Sequence, residues 1–419
     1  MNPLSQWRRR ALPLTLFLAL SLIATACGDD GEDGTSPAAA ADVTAADAPD
    51  ATAAAGAEAT EADATDATEA DGAEATEADA TEADATEDEG ADATEADSAD
   101  ATEVSCPGTE PMTLRVAAIA GSRAMTTGLW LGVAEQAGIL EEEGLTLDIV
   151  DFRASADVNN GLLSGELDMA VNGSGGIVAT AQGGDVIGVG GGVDVSVWEP
   201  LINTERVTGW DDLAGKTVAV SSTSGVVWAV LGDLLAEQGL THDDIDPVVI
   251  GSTFENYAAL ESGQVDWIPG AAPVNFIGED SGFERLGYAP PGGEVPLFTS
   301  GYVSTTSGFA EENPEAVVRF MRAWIRTGQW AKDPANFERV VEIATEVSEV
   351  EESVARRSME LYLLGDVHSP YFLAEDGEIN DESLTNLVDS MVRQEILEEA
   401  PSLDDLRTHE YARQAVACL

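Results

Sequence analysis

Trp210-Asp211-Asp212-Leu213-Ala214-Gly215-Lys216-Thr217-Val218-Ala219-Val220 is the stretch that decides the fold. Two acids and a glycine read as a turn, and residues 216–220 as a short apolar strand. Ser221, Ser222, Thr223, Ser224 and Gly225 follow as a small-residue turn, and residues 226–238 carry helical periodicity. Strand, turn, helix is the opening of a βαβ unit. Downstream the pattern continues with a strand at 246–250, a helix at 255–262, a strand at 265–268 and a returning strand at 297–305.

The same rhythm has already run once upstream. Strands are expected at 114–120, 145–151 and 167–171, with helices at 126–142, 157–164 and 176–182 between and after them. A Gly-rich extended run covers 186–197. Near-continuous apolar strands alternating with helices mean α/β layering with mainly parallel strands. Beyond 305 the chain reads as helical, at 314–330, 336–344, 351–363 and 382–399. With no strands of its own, this tail is expected to pack on the first lobe.

Four segments carry a family likeness, in order along the chain. Residues 212–220 follow D-L-x-G-K-x-V-x-V; Leu162 to Ala170 and Ala258 to Asp266 each contain L-x-x-G-x-x-D; Phe309 to Glu315 follow F-x-x-x-N-P-E. Together they resemble the type II periplasmic binding proteins, in the nitrate, sulfonate, taurine and thiamine-precursor branch that serves ABC importers. The likeness spans about residues 112–330. It implies a two-lobed fold, each lobe a mixed, mainly parallel sheet flanked by helices. The expected division is 106–203 plus 300–419 for the first lobe and its tail, and 204–299 for the second. Local chemistry supports the motifs: glycine tolerates the left-handed C-cap, and in Asn313-Pro314-Glu315 the asparagine caps a helix that proline begins.

The N-terminal quarter is of another kind. Arg8, Arg9 and Arg10 precede the apolar run 11–26, which reads as a secretory signal and is too short and Pro-broken for a lasting membrane span. Ala24-Thr25-Ala26-Cys27 resembles a bacterial lipobox with Ala in place of the usual Leu, which implies cleavage after residue 26 and a lipid on Cys27. Residues 28–106 hold 26 Asp or Glu and no Lys or Arg, and the word ATEAD recurs five times. With almost nothing to bury, residues 27–105 are expected to form an extended acidic stalk. The three cysteines divide into Cys27 and the pair Cys106 and Cys418, which brackets the folded region and suggests one disulfide in an exported protein.

Net charge is -59, and -36 of it lies in residues 107–419. That disfavours nucleic-acid binding. Three histidines leave little for a multi-His metal site, and no cofactor or metal is expected. The run Gly188-Val189-Gly190-Gly191-Gly192 lacks G-x-G-x-x-G spacing and a following helix, so it reads as close packing or a bulge.

Ligands of open α/β sheets bind beyond the carboxyl ends of the strands. The candidates are therefore Gly121, Ser122, Arg123 and Thr126 after the first strand, and Asn172, Gly173 and Ser174 after the third. Ser221, Ser222, Thr223, Ser224 and Gly225 follow the strand of the second lobe, and Pro269 follows 265–268. Turns of this kind expose N–H groups at helix starts and suit an oxyanion, to which Arg123 adds a forked cation. The alternatives are a plain capping turn for 221–225, a turn former for Asn172 and a surface ion-pair partner for Arg123. Trp198 and Trp267 are either aromatic platforms or core.

The resemblance implies a monomeric, lipid-tethered receptor outside the cytoplasm of a bacterium. It would close its lobes on a small solute and deliver it to an ABC permease and ATPase complex. Some members of the branch make a thiamine pyrimidine precursor, chemistry that calls for a reactive His and Cys-rich features. Here His242, His368 and His409 come late and no cysteine lies between Cys106 and Cys418, so a non-enzyme is expected. A ligand-sensing accessory lipoprotein remains the alternative.

Overall fold

Apolar runs become central strands where both faces can be buried. The computed structural model describes residues 105–119, 127–152, 155–172, 175–288 and 295–419, and the described strands form two five-stranded sheets. β1 (Met112–Ile119), β2 (Leu145–Phe152), β3 (Met169–Asn172), β4 (Ile187–Val193) and β10 (Gly301–Thr305) make the first, in the order β2-β1-β3-β10-β4. β5 (Glu199–Ile202), β6 (Thr217–Val220), β7 (Asp246–Val249), β8 (Trp267–Gly270) and β9 (Glu284–Arg285) make the second, in the order β7-β6-β8-β5-β9.

The two orders match position for position. In each sheet four strands point one way, and the strand that has just crossed from the other sheet runs against them: β10 in the first, β5 in the second. The fold is thus the expected pair of mixed, mainly parallel sheets flanked by helices. The second sheet recruits the chain from Glu199, earlier than the expected start at 204.

The helix Pro314–Lys332 closes the first lobe. It buries Val317, Val318, Phe320, Met321, Trp324 and Ile325 in the core that β1, β3 and β4 share, each worth about 1.5–3 kcal/mol on the scale of apolar transfer. Its approach explains Gly190 of β4, and the approach of the tail explains Gly191. A Cβ on Gly190 would stand 2.4 Å from Met321 Sδ, and one on Gly191 2.2 Å from the Glu378 carbonyl oxygen. The run is close packing, with register shifts where β4 meets β10. Pro314 does occupy the first turn of that helix, but Asn313 does not cap it by its side chain: Nδ2 donates back to the Phe309 carbonyl at 3.2 Å.

The tail does pack on the first lobe, through helix Glu410–Ala417 against Pro314–Lys332 and β4. It also reaches the second, which the sequence reading did not anticipate. Helix Asp381–Arg393 lies against Val226–Ala236, with Arg393 paired to Asp233 at 2.9 Å, and Arg357 pairs with Glu279 at 2.6 Å. Cys106 and Cys418 are joined, with Cα atoms 5.5 Å apart. No described helix is long and apolar enough to cross a membrane. The signal segment, Cys27 and residues 28–104 lie outside the described residues.

Candidate functional site

The crossing strands set the geometry. After β4 the chain runs through residues 194–198 into β5, whose first residue, Glu199, pairs with Gly270, the last of β8. On the way back, residues 295–300 lead into β10, whose first residue, Gly301, pairs with Val193, the last of β4. Both connections therefore join the carboxyl edge of one sheet to the carboxyl edge of the other. The connections are bonded to each other: Ser196 N–H donates to the Pro296 carbonyl at 2.9 Å, and Ser300 N–H to that of Val193 at 2.7 Å.

On that edge the 221–225 turn joins β6 to helix Val226–Ala236. Gly225 is the N-cap at φ 85°, ψ -170°, a conformation essentially reserved for glycine, and it brings no side chain to close the first turn. The Ser222 hydroxyl donates to the Ser224 carbonyl, while Ser221, Thr223 and Ser224 are exposed. Asn172 ends β3 opposite Tyr302. Gly121, Ser122, Arg123, Thr126, Gly173 and Ser174 lie outside the described residues. Trp198 is half-buried on the first crossing and touches the cores of both lobes.

Trp267 and Pro269 are corrected. β8 begins at Trp267, three residues before its exit, where the ring is fully buried in the second core opposite Ile202 and Val218. Pro269 is buried opposite Pro200. Neither offers a face to a solute.

The sequence reading missed a polar group around the crossings. Asp194, 2% exposed, follows β4 directly and accepts from Thr299 Oγ1 at 3.0 Å; burial raises its carboxyl to about 7 against that hydrogen bond. Glu199 is buried and bonded to Arg285 at 3.1 Å and Asn275 at 3.2 Å, and burial raises it too. His368, from the tail, is buried; desolvation lowers its pKa to about 4, although the Ser196 backbone takes a ring hydrogen bond. The Tyr288 phenol beside Glu199 is held well above its ordinary value, first by burial. Asp194 stands one residue past β4, but it falls inside the run 186–197 expected to be extended, so the strand-exit rule did not reach it.

Among the described residues no group of three His, Cys, Asp or Glu could hold a metal ion. An open pocket lined by Arg115, Leu163, Asp168, Asp185, Thr306 and Phe309 lies at the strand starts of the first lobe, the wrong edge for this site.

A family model described as NMT1/THI5 like matches residues 127–336. The chain belongs to the NMT1/THI5-like family. This NMT1/THI5-like protein is 25% identical over 269 residues to YtlA of Bacillus subtilis (strain 168), named as a binding protein; the match covers 59% of this chain and 75% of YtlA. Its fold is that of the alkanesulfonate-binding protein SsuA from Xanthomonas axonopodis pv. citri bound to MOPS, with a TM-score of 0.59, 20% identity and coverage of 72% and 100% of the two chains. The periplasmic nitrate-binding protein NrtA from Synechocystis PCC 6803 gives 0.59, 14%, 75% and 90%. The desulfurization enzyme DSZB shares the fold as well, at a TM-score of 0.53, 16% identity and coverage of 73% and 99%. The two-lobed fold and the family are therefore secure on separate grounds.

Proposed function

We propose that this chain is the solute-binding component of an ABC importer, working outside the cytoplasm. It takes a small oxyanion-bearing solute between the carboxyl edges of its two sheets, closes about the crossing strands and presents the solute to a permease and ATPase complex. The observation that carries this reading is the pairing of both crossings at those edges, Glu199 with Gly270 and Gly301 with Val193. A two-lobed molecule hinged there closes on whatever lies between the exits.

The oxyanion preference has local support. The 221–225 turn opens an 11-residue helix whose positive end points at the exit edge, with hydroxyls and backbone around it. SsuA is an alkanesulfonate-binding protein and NrtA a nitrate-binding one, and sulfonate and nitrate are both oxyanions. A domain charge of -36 opposes long-range attraction of anions, so contact donors must supply the affinity. We read the chain as a monomer held to the membrane by a lipid on Cys27, with the acidic residues 27–105 as the stalk that links that lipid to the lobes. The non-catalytic reading is favoured over a thiamine-precursor enzyme because Cys106 and Cys418 are tied to each other, leaving no free thiol among the described residues.

Native mass spectrometry of the purified protein, with melting curves in sulfonates, nitrate, pyrimidines and amino acids, tests the proposal. A bound ligand at 100 times its Kd adds about 2.7 kcal/mol and raises Tm by several degrees. No co-purified mass and no shift across the panel would remove the reading.

A further inference from the structure

Three segments far apart in sequence meet at the exit edge of the second sheet. They are Ser196 on the first crossing, Tyr288 after β9, and His368 in the tail, which lies beyond the family match. The rings of Tyr288 and His368 are 4.8 Å apart, and Tyr362 stands 5.9 Å from the same imidazole. Tyr362 sits on a one-turn π-helix, Glu360–Leu364, a distortion that recurs at functional sites.

Charge in the cluster is already balanced, because Glu199 is paired with Arg285 at 3.1 Å. The hydrogen bonding is not. His368 is 2% exposed and Ser196 1% exposed, and among the described residues neither His368 Nε2 nor Ser196 Oγ has a hydrogen-bond partner. With a ring N–H given to the Ser196 backbone, the neutral imidazole presents Nε2 as a bare acceptor. A buried acceptor without a donor is left with the full penalty of its lost hydration. A donor that arrives with the solute removes that cost.

Sheet geometry sets the distance from the oxyanion turn. β6, which ends at that turn, neighbours β8, and β8 neighbours β5, whose first residue is Glu199 of the cluster. Two strand spacings are about 10 Å. One small molecule, with a hydrogen bond at each end, spans that gap.

We infer that His368 and Ser196 receive an uncharged N–H or O–H donor on the far end of a solute whose oxyanion rests at the 221–225 turn. The solute class is then bifunctional: an oxyanion at one end and a neutral donor at the other, with Tyr288 and Tyr362 walling the donor end. The inference rests on the cleft-capture reading above and gives the tail a share in specificity.

Isothermal titration of the purified protein with butane-1-sulfonate and 4-hydroxybutane-1-sulfonate tests it. The hydroxylated probe is expected to bind about tenfold tighter, and the ratio to fall to within about twofold of unity in His368→Phe. Ser196→Ala is expected to lower the ratio as well, and it decides the matter if His368→Phe fails to fold. Binding of both probes with equal affinity overturns the inference and leaves cleft capture standing. A ratio that survives both variants also overturns it, and binding of neither probe overturns both.

Discussion

Asp168 and Asp266 hold the same post in the two lobes. Asp168 exchanges backbone and side-chain hydrogen bonds with Arg115 of β1: its carboxylate accepts the Arg115 N–H at 2.7 Å, and its own N–H donates to the Arg115 carbonyl at 2.9 Å. Asp266 does the same with Thr217 of β6, at 2.9 and 2.8 Å. Each carboxylate also takes a guanidinium, from Arg115 and Arg206 respectively. The aspartate of L-x-x-G-x-x-D therefore pins the start of one strand to its neighbour and fixes where the far ends of both arrive.

Asp168→Ala and Asp266→Ala are each expected to cost about 1–3 kcal/mol, since each leaves a strand N–H without its acceptor. Asn variants, which keep one acceptor, should lose less. Urea titrations with the four variants check this. An alanine variant as stable as the parent would show that the carboxylates are dispensable to strand placement.

Asp194 and His368 give stability opposite dependences on pH. The folded Asp194 carboxyl is raised to about 7, so its contribution is lost as pH rises from the ordinary carboxylate range through 7. The folded His368 is lowered to about 4, so its contribution is lost as pH falls from 6.5 toward 4. Between those limits the two slopes cancel. Asp194→Asn should expose stability that rises with pH over that window, and His368→Phe stability that falls. Melting temperatures from pH 4.5 to 7.5 decide it; parallel curves for the three proteins would refute the assignment.

The sheets were legible because their strands are short apolar runs between Gly-rich turns, as in residues 145–151 and 216–220, which the structure extends or trims by a residue. β5 was not, because Glu199-Pro200-Leu201-Ile202 carries neither alternation nor an unbroken apolar run; its burial comes from β8 and β9 on either side. Trp267 was misplaced because the expected strand, 265–268, ended two residues early and put the ring near an exit. Asp194 was hidden inside an extended run taken to continue to 197, whereas β4 stops at Val193. His368 had no local signal at all. Its environment is made by Ser196 and Tyr288, contacts that only the folded tail brings together.

Gly190 and Gly191 should respond differently to alanine. At Gly190 a methyl meets the end of the Met321 side chain, which can move. At Gly191 it meets the Glu378 carbonyl at 2.2 Å, which cannot move without displacing the tail. Gly191→Ala is expected to cost about 1–3 kcal/mol or more, and Gly190→Ala less. Denaturation midpoints rank them, and the reverse order would mean that the tail yields more easily than the core.

Cys106 and Cys418 close a loop of nearly the whole folded region, 312 residues apart in sequence. The bond lies just past helix Glu410–Ala417, whose Ala412 and Ala415 are buried in the first core. In an unfolded chain that tie removes the largest loop entropy available, and in the folded one it holds the last helix against the first lobe. Cys106→Ser with Cys418→Ser is therefore expected to lose about 2–5 kcal/mol and to raise hydrogen exchange first in residues 410–417. The exported protein should show no thiol at either position before reduction. Labelling of either cysteine in unreduced protein, or an unchanged denaturation midpoint in the double variant, would mean that the helix is held by Tyr411, Ala412 and Ala415 alone.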